Sequence, residues 1–172
     1  MSDKQLVVLT VNGAEHELLV EPRWTLLDVL RHEVGLTGTH VGCEHGVCGA
    51  CTILLDDEPV RACLMYAAQA EGCMVRTVED LGTPEEPNDL QRAFSSHHGL
   101  QCGFCTPGFL MLAEGFLAQR PDPTREEIRE AVSANICRCT GYQTIVDAIE
   151  ETAAGRRGPV AANPGPGKEA VG

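Results

Sequence analysis

Large rings are scarce in this chain, which has four Phe, two Tyr and one Trp among 172 residues. Neither half of it can rely on an aromatic core, and small domains without one often need a staple. Long hydrophobic runs are missing as well. No stretch approaches the roughly 18 consecutive apolar residues of a membrane helix, so no membrane span is expected. Basic clusters are also lacking: 13 Lys and Arg stand against 25 Asp and Glu, a net charge of −12. That balance excludes a protein that follows nucleic-acid phosphates. No apolar signal segment precedes the first apolar strand, so secretion is not expected either.

What the chain does have is cysteine, nine in all. In a chain with no secretory signal, that number points to metal ligation in a reducing compartment, and a cytoplasmic location is expected. The densest stretch, Cys43 to Cys63, reads CEHGVCGACTILLDDEPVRAC. Cys43, Cys48 and Cys51 are spaced C-x4-C-x2-C, and Cys63 follows across a short apolar run with a turn in it, the ligand pattern of a plant-type [2Fe–2S] cluster. Gly42, Gly46 and Gly49 alternate with the ligands, as a loop needs if it is to fold tightly round a small core and aim amide N–H groups at sulfur. Structural zinc sites more often bring their thiolates as two short knuckles. Cys43-Glu44-His45 hints at a Rieske pair, but Cys63 has no His within reach, so His45 reads as an exposed loop residue.

The flanking sequence alternates with a period of two. Leu6 to Val11 and His16 to Val20 read as strands joined by Asn12-Gly13, and Leu26 to Glu33 as a helix capped by Thr25. Beyond the cysteine loop, Thr52 to Leu55 and a return strand ending at Cys63 flank a turn at Asp56-Asp57, and Val75 to Val78 suggests an edge strand. Two hairpins and a crossing helix predict a β-grasp domain over 1–81. GTPEEPND (82–89) reads as a linker.

From residue 90 the period becomes 3.6. Leu90, Ala93, Phe94 and His97 make one stripe, and Phe109, Leu112, Ala113, Phe116 and Leu117 a second, after Thr106 as N-cap and Pro107 as first helical residue. Thr124 and Glu127 form a capping box ahead of Ile128, Ala131 and Val132; Ile145, Val146 and Ile149 mark a fourth helix. The fold class is therefore α+β, with a four-helix bundle over 90–154 following the β-grasp domain. The glycine- and proline-rich end, 155–172, is expected to be a disordered tail.

The helical half carries its own thiols, Cys102 and Cys105 as C-x2-C and Cys137 and Cys139 as C-x-C, each ahead of a helix. If those helix N-termini converge, their positive ends face four thiolates. Spacing alone leaves zinc open here. GCEHGVCGACTILLDDEPVRAC, QCGFCTPG and NICRCTGY, in this order, resemble the iron–sulfur small subunit of the molybdenum hydroxylase (xanthine oxidase) family over about residues 4 to 153. The likeness is greatest to separate small chains of the carbon monoxide dehydrogenase type.

The resemblance implies two [2Fe–2S] clusters. One, on Cys102, Cys105, Cys137 and Cys139, would face the molybdenum cofactor of a molybdopterin-binding large subunit. The other, on Cys43, Cys48, Cys51 and Cys63, would lie towards the FAD of a medium subunit. It also implies that Gln101 and Cys139 touch the pterin; without the family, Gln101 reads as a polar helix cap. The chain would then carry electrons, with no catalytic acid, base or nucleophile of its own. Relatives commonly have Gly at the position of Asp57. Two other classes compete: a zinc-stabilised adaptor, which would be colourless, and a free-standing ferredoxin-like carrier, which would migrate alone in gel filtration.

Cys73 matches neither ligand set and reads as a small buried apolar residue, while His97 and His98 end a helix and favour its dipole. Cys73→Ala is expected to keep both clusters and to cost at most about 1 kcal/mol of packing stability. Iron content and a thermal melt check this.

Overall fold

The structure, a computed structural model, describes residues 4–157. Strands β1 (Gln5–Val11) and β2 (Ala14–Val20) pair antiparallel from Gln5↔Val20 to Val11↔Ala14. Asn12 (φ 50°) and Gly13 (φ 79°) both take the left-handed backbone that a type I′ turn requires. Strand alternation buries Val7, Leu9 and Val11 and leaves Leu6 on the opposite face 58% exposed. Helix α1 (Leu26–His32) starts at a capping box, with the Asp28 N–H donating to Thr25 Oγ1 and the Thr25 N–H to the Asp28 carboxylate, both at 3.1 Å. Its face of Leu26, Leu27, Val29 and Leu30 is buried against the sheet's core.

Strands β3 (Thr52–Leu55) and β4 (Glu58–Arg61) form the second hairpin. Asp56 (φ 48°) and Asp57 (φ 67°) are both left-handed, so Asp57 holds the conformation that glycine adopts more freely. The return strand stops at Arg61 and does not reach Cys63, because Ala62–Leu64 turns into a short 3₁₀ segment. Strand β5 (Met74–Arg76) is central where the sequence suggested an edge. It lies parallel to β1 and antiparallel to β3, giving the order β2-β1-β5-β3-β4. The inner edges of both hairpins offer unpaired backbone groups, and one short strand between them satisfies both.

Four further helices follow: α2 (Asp89–Ser96), α3 (Thr106–Gln119), α4 (Arg125–Val132) and α5 (Gln143–Arg156). Asn88 and Gln91 make a capping box at α2, so the helix begins inside the expected linker, at Asp89. Cys105 occupies the N-cap position of α3, which puts Thr106 already in the helix and Pro107 in its first turn. α3 is apolar nearly all round, burying Leu110 and Met111 besides the expected Phe109, Leu112, Ala113 and Leu117. Such a helix needs neighbours on both sides. It has them: α2 and α4 on one side, β3 and β4 on the other.

The halves interlock along that second side. Leu54 of β3 belongs to the helical core, and a Cβ on Gly115 would meet Leu54 and Pro59 at 2.8 and 2.6 Å. The result is a mixed α+β fold with a five-stranded sheet and five helices. Among the described residues no helix is long and apolar enough to cross a membrane.

The expected tail begins too early. α5 continues through Gly155 to Arg156, whose guanidinium reaches Asp89 at 2.7 Å and the mostly buried Glu114 at 2.8 Å. These pairs tie the end of α5 to the start of α2 and the middle of α3, which is why the helix does not stop where the glycine-rich composition begins. The rest of that tail, 158–172, lies outside the described residues. Arg156→Ala leaves Glu114 without its cation and is expected to cost about 1–2 kcal/mol. Arg156 beside Asp89 holds that carboxyl below the usual range. A depressed carboxylate contributes stability above its unfolded pKa, about 3.9, and loses it as pH falls through the folded value. Urea titrations at neutral pH should therefore show the full penalty of Arg156→Ala, shrinking below about pH 4.

Candidate metal centres

The first set of thiols is gathered by the loop before β3 and the turn after β4. Cys51 and Cys63 are buried, Cys43 and Cys48 half-buried. They meet as pairs, Cys43 beside Cys48 and Cys51 beside Cys63. Backbone N–H groups point at the sulfurs: that of Cys48 donates to Cys43 Sγ at 3.4 Å and that of Ala50 to Cys48 Sγ at 3.5 Å. The Cys48 N–H above all, with that of His45, brings the Cys43 thiol down to about 6. Burial pushes Cys51 up to about 11. His45 is an exposed loop residue whose Nδ1–H donates to the Cys43 carbonyl.

In the helical half, Cys102 and Cys105 stand before α3 while Cys137 and Cys139 lie between α4 and α5. Pairing recurs: Cys139 Sγ is 3.6 Å from Cys102 Sγ, and Cys105 lies beside Cys137. Cys102 and Cys139 are exposed and Cys137 is buried. Burial, helped by the adjacent Cys137 sulfur, pushes Cys105 up to about 12. Burial pushes Cys137 up too, yet the Thr140 hydroxyl and nearby N–H groups outweigh it and hold that thiol below its ordinary value.

The donor chemistry fits a two-iron core. Each iron of a [2Fe–2S] cluster takes two of four thiolates, and each set here is two close pairs. Among the described residues no three His, Cys, Asp or Glu side chains converge as the donors of a single ion would. Buried thiols pushed up to about 11 and 12 are costly as lone anions, and a cationic core reverses that preference.

The two sets are joined by backbone and by residues that spacing rules do not flag. The Ile136 N–H donates to the Cys48 carbonyl at 2.9 Å, so a cysteine of one set is one hydrogen bond from the neighbour of a cysteine of the other. Asn135, 1% exposed, donates from Nδ2 to the Gly49 carbonyl at 3.2 Å. Arg61 reaches Thr52 Oγ1 and the Ala134 carbonyl, both at 2.6 Å. Gly49 (φ 74°) abuts the Asn135 carboxamide and Gly108 abuts the Gly49 carbonyl, so a Cβ at either would force the loops apart. A cavity of about 270 Å³ opens between the sets, lined in part by Cys43, Cys48, Phe104, Ile136 and Cys139. His40 stacks on Phe104 at 5.0 Å and its Nδ1–H donates to the Phe104 carbonyl at 2.7 Å.

Other singled-out residues fall as follows. Gln101 is exposed and caps no helix; its Nε2 donates to the Cys139 carbonyl at 3.1 Å, which brings the two together. Cys73 is only half-buried, with its thiol against the Asp56 carboxylate, which pushes it up. His97 ends α2 and pairs with Glu151 of α5. Asn135, Thr140 and Tyr142 sit inside the NICRCTGY stretch, and their nearness to Cys137 in sequence was the one signal available.

Comparison with known proteins agrees with this geometry. Residues 9–76 match the family model of a 2Fe-2S iron-sulfur cluster binding domain, and residues 77–150 that of a [2Fe-2S] binding domain. The chain is 55% identical to the nicotine 6-hydroxylase small subunit of Paenarthrobacter nicotinovorans, over 86% of this chain and 89% of that one. It is also 55% identical to the caffeine dehydrogenase subunit gamma of Pseudomonas sp. (strain CBB1), over 84% of this chain and 89% of the relative. The crystal structure of quinoline 2-oxidoreductase from Pseudomonas putida 86 superposes with a TM-score of 0.86 at 54% identity, covering 92% of this chain and all of the matched one. With two cluster-binding modules in tandem and relatives matched over most of their length, the chain belongs to the iron–sulfur small subunits of the molybdenum hydroxylase family, electron-transfer subunits of oxidoreductases.

Proposed function

We propose that this chain is the cytoplasmic electron carrier of a complex with a molybdopterin-binding large subunit and an FAD-binding medium subunit. Cys43, Cys48, Cys51 and Cys63 hold one [2Fe–2S] cluster, and Cys102, Cys105, Cys137 and Cys139 hold the other, with α2 to α5 as a four-helix bundle around it. The observation that carries this reading is the grouping of eight thiols into two sets, each of two close pairs, one within each matched module. When bound, the clusters supply one-electron carriers, in the order molybdenum partner, helical set, β-sheet set, FAD.

The residues of the chain divide that work. Cys102 and Cys139 are exposed on a face with Gln101, Phe104 and Ile136, and this face meets the large subunit, with Gln101 and Cys139 at the pterin. Val47 and Leu64, 58% and 65% exposed near the other set, meet the medium subunit. The contacts of Asn135, Ile136 and Arg61 hold the two sets at one separation. Nicotine, caffeine and quinoline, the compounds named for the relatives, are N-heterocycles, and this is the class to offer the assembled complex.

Two measurements test the reading. The reduced protein is expected to give two distinguishable [2Fe–2S] paramagnetic signals, because a loop surrounds one set and helices the other; a single signal with half the iron would overturn the ligand assignment. In the complex under anaerobic substrate, Cys137→Ser is expected to leave molybdenum reducible and to block reduction of the β-sheet cluster and FAD. Cys48→Ser is expected to let the helical cluster be reduced while FAD stays oxidised. FAD reduced at the normal rate in the Cys137→Ser complex, with assembly intact, would reverse the proposed order.

A further inference from the structure

We infer that Thr140 and Tyr142 set the reduction potential of the helical centre by deciding which proton reaches the Cys137 sulfur, an inference that rests on the ligand set proposed above. Thr140 Oγ1 lies 3.2 Å from Cys137 Sγ and accepts the Tyr142 N–H at 3.1 Å. A thiolate ligand carries no proton to give, so between hydroxyl and sulfur only the hydroxyl can donate. Tyr142 N–H occupies a lone pair of the oxygen and leaves its proton directed to the sulfur.

The second half of the device works on the Cys137 backbone. The Tyr142 hydroxyl accepts the Cys137 N–H at 3.0 Å, which commits that amide to the phenol. Tyr142 is held there: it takes a left-handed backbone (φ 70°), uncommon for an aromatic residue, and its ring meets Phe109 edge-on at 6.2 Å. One donor is supplied to the sulfur and another is withheld. Cys43 and Cys48 take loop N–H donors, and Cys137 too receives N–H groups from Thr140 and Cys139, so the Thr140 hydroxyl is what sets it apart.

The electrical consequence has a definite sign. One-electron reduction adds a negative charge to a unit that is already anionic through its thiolates. A proton donated to a ligand sulfur stabilises the reduced form more than the oxidised one and raises the potential.

The test is a redox titration of the purified complex with mediators and dithionite, followed by the two paramagnetic signals. Thr140→Val keeps the shape and removes the proton. It is expected to make the helical centre about tenfold harder to reduce, a downward shift of about 59 mV for one electron. The midpoint of the β-sheet centre should not move, and Thr140→Ser should restore the wild-type value. Tyr142→Phe keeps the ring and frees the Cys137 N–H, so its shift is expected upward. Two full signals with the helical midpoint unmoved in Thr140→Val, or with both variants shifted the same way, would overturn the inference. Should Thr140→Val fail to assemble, an unmoved midpoint in Tyr142→Phe would overturn it alone. Loss of one signal in the unmodified complex would instead overturn the ligand set.

Discussion

Cysteine thiols gathered as two close pairs in each half are the constraint on which the rest of this structure depends. Without a cation their thiolate forms repel one another, and burial makes each harder to ionise, as the upward displacement of Cys51 and Cys105 records. The chain therefore has to bring the sulfurs together while keeping donors on hand for them. It does so differently in each half. The first set uses a loop whose N–H groups turn inward, and the second uses the ends of connections between helices, with a side-chain hydroxyl in attendance.

The position of α3 follows from that requirement. Its N-terminal end carries Cys105 at the cap, and Gly108, one turn in, lies against the loop of the other set. Nothing larger than glycine fits there, so the approach of the two halves is decided at a backbone contact rather than by flexible side chains. Further along, the absence of a side chain on Gly115 lets α3 lie on Pro59 and Leu54. Both glycines cost helix propensity, roughly 1 kcal/mol each, and the close packing offsets it. A carrier gains from this arrangement because transfer between centres depends on their separation, and a hinged pair would vary it.

How much of this was legible depended on whether the signal was local. The Thr25 and Thr124 caps and the Asn12-Gly13 turn were readable because each is a contact between residues a few positions apart. From sequence β5 reads as an edge because its partners, Thr10 and Leu54, are distant in sequence, and three residues carry no pattern that distinguishes centre from edge. Composition places Arg156 in the tail because it changes at Gly155, while the acids that hold it lie on α2 and α3. Cys43, Cys48 and Cys51 are legible as a group because C-x4-C-x2-C is a local rule, whereas Cys63 and the two helical pairs come together only across the fold. The join between the sets is not legible, because Asn135, Arg61 and Ile136 act across the fold on groups that any residue possesses, backbone carbonyls among them.

The two modes of donation carry a further consequence for how such a chain can be adjusted. Loop N–H groups belong to the backbone, so a substitution that changes them must also move the loop, and Gly49 pressed against Asn135 leaves little room for that. A hydroxyl such as Thr140 can be gained or lost with one substitution while Cys137 and its backbone stay in place. The donors of the loop thiols are thus tied to the fold, whereas Cys137 has, beside its own backbone donors, one side-chain donor that a single substitution can change.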